Sequence, residues 1–139
     1  MNYPGIRSLS VLYADDNPFT REMVIDYLAD IVRVRAVIAA PSGGSAAGLY
    51  FQIQPDVVIS NLSSPFWQGL DLVQTIRNKN SSIPVIFITD IRNKPAALQL
   101  LNLKGIEFIE KPLLLRRIYA ALLHSIPANC GRPAHIKQP

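Results

Sequence analysis

The sequence predicts an α/β protein in which helices cover both faces of a five-stranded parallel sheet. Short apolar runs recur along the chain without polar breaks, which is typical of strands buried on both faces of a parallel sheet. A segment of helical periodicity follows each of these runs. This alternation of strand and helix indicates crossover units, whose right-handedness leaves few topologies, and the strand order 2-1-3-4-5 fits five units of this size best.

The first unit begins with a strand over residues 8–14. After it, Asn17 offers a side-chain oxygen as N-cap, and Pro18 suits the first helical position. From Phe19 onward, apolar residues recur at spacings of three and four. These signals together predict a helix over residues 18–29.

The second and third units show the same alternation. An apolar run over residues 34–39 predicts a strand, and residues 42–53 predict a helix. The three glycines of that helix weaken the prediction, since each costs about 1 kcal/mol relative to alanine in a helix interior. Beyond the turn signal at Pro55, residues 56–60 predict a buried strand, and residues 69–79 predict the helix that follows it.

Two further units complete the series. Residues 83–89 predict the fourth strand, and residues 106–109 predict a short fifth strand. Between them, residues 94–103 predict a short helix with Gly105 as its C-terminal cap. The last helix is predicted over residues 113–126, and the whole corresponds to a flavodoxin-like (βα)5 three-layer sandwich.

One domain accounts for the chain, with boundaries predicted from composition. Residues 8–126 form the domain, residues 1–7 an N-terminal extension, and residues 127–139 a flexible tail or the start of a linker. The net charge of +4 is spread along the chain, so we expect a solvated basic surface and no direct nucleic-acid partner. No apolar run is long enough to span a membrane, so we expect a cytoplasmic protein without membrane contact.

Polar side chains follow the predicted strands at their carboxyl ends, which face one crevice in this topology. The set comprises Asp15 and Asp16 after the first strand, Asn61 after the third, Thr89 and Asp90 after the fourth, and Lys111 after the fifth. Carboxylates suit Mg²⁺, and a lysine with a hydroxyl steadies phosphoryl oxygens. The joint placement is typical of a metal-assisted phosphoryl site.

Five segments resemble the receiver domain of bacterial two-component response regulators, also described as CheY-like. They are VLYADDN at 11–17, PDVVISNLSSP at 55–65, QGLDLVQTIR at 68–77, IPVIFITD at 83–90 and GIEFIEKP at 105–112. The resemblance covers residues 8–125. It implies a signal-transduction module of a phosphorelay, with a histidine kinase or an output domain or protein as partner. It also implies a homodimer surface on the fourth helix, fifth strand and fifth helix.

The resemblance also assigns roles by position. Similar receivers accept a phosphoryl group on an aspartate at the end of the third strand, where this chain has Asn61. The remaining implied roles are Asp15 and Asp16 as the acidic pair that reaches Mg²⁺, Ser63 as a backbone metal ligand, Thr89 as the switch hydroxyl, Lys111 as the phosphate-sensing lysine and Phe108 as the aromatic rotamer switch.

Two residues depart from the family pattern. A neutral amide at Asn61 is a poor nucleophile and removes one anionic metal ligand. We therefore expect no catalytic residues and no required cofactor, with Mg²⁺ binding that is weak or absent. Asp90 replaces the small residue that usually follows the switch threonine. One hypothesis pairs Asp90 with Lys111 as a partial substitute for the phosphoryl group; the alternative is that Asp90 caps the next helix or faces solvent.

Three functions remain open at this point. The first is a phosphorylation-independent pseudo-receiver that acts through protein–protein interaction, since Asn61 replaces the acceptor aspartate. The second is a conventional receiver carrying an Asp-to-Asn substitution at position 61. The third is a flavodoxin-like enzyme or nucleotide binder, which is disfavoured because the acidic, stiff segment 15–18 is unlike a glycine-rich phosphate loop.

Overall fold

A computed structural model describes residues 4–61, 67–79, 82–90 and 105–125 of the chain. Five parallel strands form one sheet in the order β2-β1-β3-β4-β5. The strands are β1 Ser10–Asp15, β2 Ala36–Ala40, β3 Val57–Asn61, β4 Val85–Thr89 and β5 Ile106–Glu110. The predicted fold class and strand order are therefore confirmed.

Helices cover both faces of the sheet. The described helices are α1 Pro4–Ser8, α2 Pro18–Asp26 with a π-helical continuation over Tyr27–Val32, α3 Gly43–Ile53, α4 Trp67–Asn78 and α5 Leu115–Ser125. Buried residues of α1, α2, the π-helical turn and α5 pack on one face, and those of α3 and α4 pack on the other. Among the described helices, none combines the length and apolar character that crossing a membrane requires.

The side chains of β1 alternate between these two apolar layers. Val11 and Tyr13 belong to the layer beneath α2 and α5, whereas Leu12 and Ala14 belong to the layer beneath α3 and α4. All four are fully buried, as expected for a central strand of a parallel sheet. The alternation places Asp15 on the same face as Tyr13, because strand side chains repeat with a period of two.

Hydrogen bonds at the start of β1 and β3 fix the register between these two strands. The carboxylate oxygen Oδ2 of Asp56 accepts from the backbone N–H of Ser10 at 2.8 Å and from its hydroxyl at 3.1 Å. The backbone N–H of Asp56 donates to the carbonyl oxygen of Ser10 at 2.9 Å. In the resulting register, the last residue of β1, Asp15, lies beside the last residue of β3, Asn61.

Several element boundaries differ from those predicted. The helix α1 occupies part of the predicted N-terminal extension, and it forms because Ile6 docks completely into the core. The helix predicted over residues 18–29 continues to Val32 in π-helical geometry and ends at Arg33 in the left-handed conformation, with φ 67°. Asp15 and Asn61 end their strands as buried residues and do not lie in the loops beyond.

Two predicted elements lie outside the described residues, namely the helix over 94–103 and the tail over 127–139. Gly105 has a φ of 78°, the left-handed conformation expected of the helix cap assigned to it. A side chain at this position would also be crowded, since an added Cβ would lie 3.1 Å from Nη2 of Arg77.

The predicted N-cap of α2 is confirmed. The side-chain oxygen of Asn17 accepts from the backbone N–H groups of Phe19 at 2.9 Å and Thr20 at 3.1 Å, and Pro18 occupies the first turn. These bonds satisfy two N–H groups that lack a partner within the helix. The same residue therefore begins α2 directly after the polar end of β1.

We expect the substitution Asn17→Ala to lower the free energy of unfolding by about 1 kcal/mol, since alanine cannot accept these two hydrogen bonds. Asn17→Ser should retain most of the stability, because serine caps helices about as well as asparagine. Equilibrium urea denaturation measures both variants. No measurable loss in Asn17→Ala would show that the cap contributes nothing to stability.

Candidate functional site

Four strand ends bring the predicted site residues to one edge of the sheet. Asp15 ends β1 and lies beside Asn61 at the end of β3. Thr89 ends β4, and its carbonyl oxygen accepts from the backbone N–H of Lys111 at 2.9 Å, directly after β5. Asp16 follows β1 and is half-buried. The structure thus brings these residues to one edge, as the topology predicted.

A buried hydrogen-bonded triad forms the centre of the site. The Tyr13 hydroxyl donates to Oδ2 of Asp15 at 2.6 Å. The side-chain nitrogen of Asn61 donates to the same Asp15 oxygen at 3.2 Å and to the Tyr13 hydroxyl oxygen at 3.1 Å. Solvent exposure is 0% for Tyr13, 1% for Asp15 and 5% for Asn61, so water contributes little to solvating these groups.

The remaining oxygen of the Asp15 carboxylate is also occupied. Its Oδ1 accepts from the backbone N–H of Asn17 at 2.9 Å. A guanidinium nitrogen of Arg21 donates to the backbone carbonyl of Asp15 at 2.9 Å, which fastens α2 to the end of β1. The carboxylate therefore receives three hydrogen bonds, from Tyr13, Asn61 and Asn17.

The contacts of Asn61 explain which way its amide faces. If the amide were reversed, its oxygen would lie about 3 Å from a carboxylate oxygen of Asp15 with no hydrogen between them. The oxygen Oδ1 is buried and has no donor among the residues described. An aspartate at position 61 would set two negative oxygens at a similar separation, a repulsion of about 5 kcal/mol at an effective dielectric constant of about 20.

Burial raises the pKa of the Tyr13 hydroxyl well above its ordinary value, because an anion there would lose its hydration. The hydrogen bond to Asp15 raises this pKa further, whereas the hydrogen bond from Asn61 lowers it in part. Tyr13 therefore remains a neutral hydroxyl that donates to Asp15 at physiological pH.

Tyr13 is the residue of this site that sequence reasoning missed. It counted as one more apolar member of the first strand, since aromatic residues favour strands. A signal was available: Tyr13 precedes Asp15 by two positions, so both side chains lie on one face of β1. Its second partner, Asn61, is 48 residues away and is visible only once β1 and β3 are paired.

The other predicted site residues show fewer contacts. The Thr89 hydroxyl donates to the carbonyl oxygen of Asp90 at 3.4 Å, a long hydrogen bond. Phe108 is half-buried and packs edge-on against Phe87, with ring centroids 5.8 Å apart. Ser63 lies outside the described residues.

Asp90 and Lys111 are both described, and each is half-buried. Asp90 has at least one interaction with another group. The hypothesis that Asp90 substitutes for a phosphoryl group by pairing with Lys111 therefore stays a prediction, as does its alternative.

As they are bonded in this structure, Asp15 and Asn61 offer a divalent cation few free lone pairs. Mg²⁺ requires oxygen ligands with free lone pairs, usually including one or two carboxylates. The Asp15 carboxylate already accepts three hydrogen bonds, and Asn61 contributes a neutral amide. Within the segments that the structure describes, no group of three or more His, Cys, Asp or Glu side chains is arranged to hold a metal ion.

Comparison with known proteins identifies a family. Residues 11–123 match the family model of the response regulator receiver domain. The probable C4-dicarboxylate response regulator DctR of Bacillus subtilis (strain 168) is 28% identical over 81% of this chain and 50% of its own length. A protein-glutamate methylesterase/protein-glutamine glutaminase of Trichodesmium erythraeum (strain IMS101) is 31% identical over 73% of this chain and 30% of its own length. The chain thus spans about half or less of these relatives.

Solved structures agree with this family assignment. A response regulator receiver domain protein from Clostridium thermocellum superposes with a TM-score of 0.75 at 21% identity, covering 84% of this chain and 93% of that chain. A two-component transcriptional regulator AraC from Clostridium phytofermentans ISDg gives a TM-score of 0.73 at 26% identity, covering 85% and 92%. The fold is retained at low sequence identity.

The raised pKa of Tyr13 predicts an alkaline loss of stability. Below pH 10.0, the ordinary pKa of tyrosine, the hydroxyl is protonated in both states, and its contribution to stability is fully present. Above that pH the unfolded chain loses this proton and the folded chain keeps it. The difference in unfolding free energy between the unaltered protein and Tyr13→Phe should therefore shrink by about 1.4 kcal/mol for each pH unit above that value.

Urea denaturation of the two proteins from neutral pH to above pH 10.0 measures this difference. Far-ultraviolet circular dichroism confirms that both proteins are folded at each pH. A difference in unfolding free energy that stays constant across this pH range would contradict the raised pKa of Tyr13.

Proposed function

The chain belongs to the response regulator receiver domain family, and from that premise we propose that it is a signalling module that works without phosphorylation at position 61. It is a receiver domain of the two-component type, and the proposal concerns how such a domain acts when its acceptor position is an amide. On this proposal the domain transmits signals by binding other proteins, and position 61 stays unmodified throughout.

The observation that supports this proposal most directly is the position and bonding of Asn61. In similar receivers, an aspartate oxygen attacks phosphorus to form an acyl phosphate. Asn61 presents its nitrogen to Asp15 and Tyr13, and that nitrogen is engaged as a donor. The amide oxygen is neutral and weakly nucleophilic, so it does not replace a carboxylate in this reaction.

The hydrogen bonds in the rest of the pocket favour a binding module over a receiver that has only lost its acceptor aspartate. Asp15 is buried, and its three hydrogen bonds compensate for the loss of water around its carboxylate without calling for a cation. Such saturation holds the strand ends in one arrangement. Asp16, Thr89 and Lys111 are proposed to complete the pocket in the family's manner.

We also propose that the module has no catalytic activity of its own. The relatives named methylesterases match this chain over about 30% of their length, so that activity is not transferred to it. Its partners are proposed to be a histidine kinase or an output domain or protein. No cofactor is required on this proposal, and Mg²⁺ binds weakly.

A homodimer is a further part of the proposal that rests on family resemblance. The surface involved comprises β5, α5 and the predicted helix over 94–103, which lies outside the described residues. In the described part, His124 on α5 lies 3.2 Å from the Glu107 carboxylate on β5, so the two elements are joined at their exposed surface.

The decisive experiment is intact-mass spectrometry after incubation with Mg²⁺ and a small acyl phosphate donor. We expect no phosphoryl adduct on this chain, because position 61 lacks a carboxylate. A receiver domain with aspartate at the acceptor position serves as the positive control under identical conditions. An adduct on this chain at a comparable rate would overturn the proposal.

A further inference from the structure

The Tyr13 hydroxyl holds a position between the two residues that define the site. It donates its only proton to Asp15 at 2.6 Å and accepts from the Asn61 amide at 3.1 Å. Asn61 also donates to Asp15 at 3.2 Å, which closes a three-membered hydrogen-bonded ring. Every donor in this ring has an acceptor, and the ring needs no cation.

An aspartate at position 61 does not fit this ring. A carboxylate has no proton to donate to Tyr13 or to Asp15, so two of the three bonds would be lost. The hydroxyl proton can serve only one of the two carboxylates. As long as Tyr13 donates to Oδ2 of Asp15, that lone pair is unavailable to a metal ion.

We propose that Tyr13 is the positioning residue that selects an amide over a carboxylate at position 61 and that takes the place of a divalent cation at Asp15. This inference rests on the proposed function and deepens it: two residues, Tyr13 and Asn61, make the pocket independent of metal and phosphoryl group. Restoring the aspartate alone therefore does not restore a working receiver.

The inference differs from a simple packing role for Tyr13. Its ring lies in the apolar layer beneath α2 and α5, and phenylalanine would fill that space equally well. Only the hydroxyl takes part in the ring of hydrogen bonds. Tyr13→Phe therefore separates the two roles, since it keeps the buried aromatic ring and removes the donor.

The test compares the unaltered chain with Tyr13→Phe, Asn61→Asp and the double variant. Isothermal titration with MgCl₂ gives the Mg²⁺ dissociation constant, and thermal denaturation with and without Mg²⁺ gives an independent measure of binding. Intact-mass spectrometry with a small acyl phosphate donor then measures phosphoryl transfer. Circular dichroism reports whether each protein is folded.

We expect the double variant to bind Mg²⁺ about tenfold more tightly than Asn61→Asp, because removing the hydroxyl frees Oδ2 of Asp15 from a hydrogen bond to a charged group that the metal would otherwise have to displace. The double variant should show the largest rise in melting temperature with Mg²⁺ and accept phosphoryl groups fastest. Tyr13→Phe alone should show neither change, since Asn61 still supplies an amide. A double variant that folds only when Mg²⁺ is present also supports the inference.

Equal Mg²⁺ affinity and equal phosphorylation of Asn61→Asp and the double variant would overturn it, as would a double variant that does not respond to Mg²⁺. These outcomes leave the proposed function intact, because that proposal fails only if the unaltered chain itself becomes phosphorylated.

Discussion

The parallel pairing of β1 with β3 is the constraint on which the site depends. Its register places Asp15 beside Asn61 at the ends of two buried strands. A carboxylate removed from water is costly unless it is hydrogen-bonded, so the neighbouring groups must be donors. Tyr13, Asn61 and the backbone of Asn17 supply three such bonds. The chemistry available at this edge of the sheet follows from that requirement.

The comparison with solved structures illustrates how a fold persists at low sequence identity. The backbone superposes on three solved response-regulator structures with TM-scores of 0.71–0.75, although their sequences are only 19–26% identical to this chain. A sheet of this kind is specified by apolar patterning, which tolerates many sequences. Function is decided by the chemistry of a few strand-end residues and not by the fold itself. Fold and function therefore have to be argued from different residues.

Most of the fold was predictable because its signals are local. Unbroken apolar runs identified the five strands, and Asn17 with Pro18 identified the start of α2. The predicted element boundaries differed from the observed ones where contacts with distant parts of the chain contribute. The helix α1 exists because Ile6 is buried in the core, and the π-helical end of α2 is set by the packing of Leu28 and Val32. The burial of Ile6 leaves no pattern within its own short segment.

The sequence by itself determined which polar residues reach the carboxyl edge of the sheet, since strand order and strand length fix those positions. It also determined that position 61 carries an amide and not a carboxylate. Only the tertiary structure decided how these groups bond: that Tyr13 bridges Asp15 and Asn61, and that Tyr13 and Asn61 both donate to the same oxygen of Asp15. The physical reason is that a hydrogen bond forms only when the distance between donor and acceptor is right to within a few tenths of an ångström. Residues 48 positions apart, such as Tyr13 and Asn61, reach that precision only through the register of paired strands.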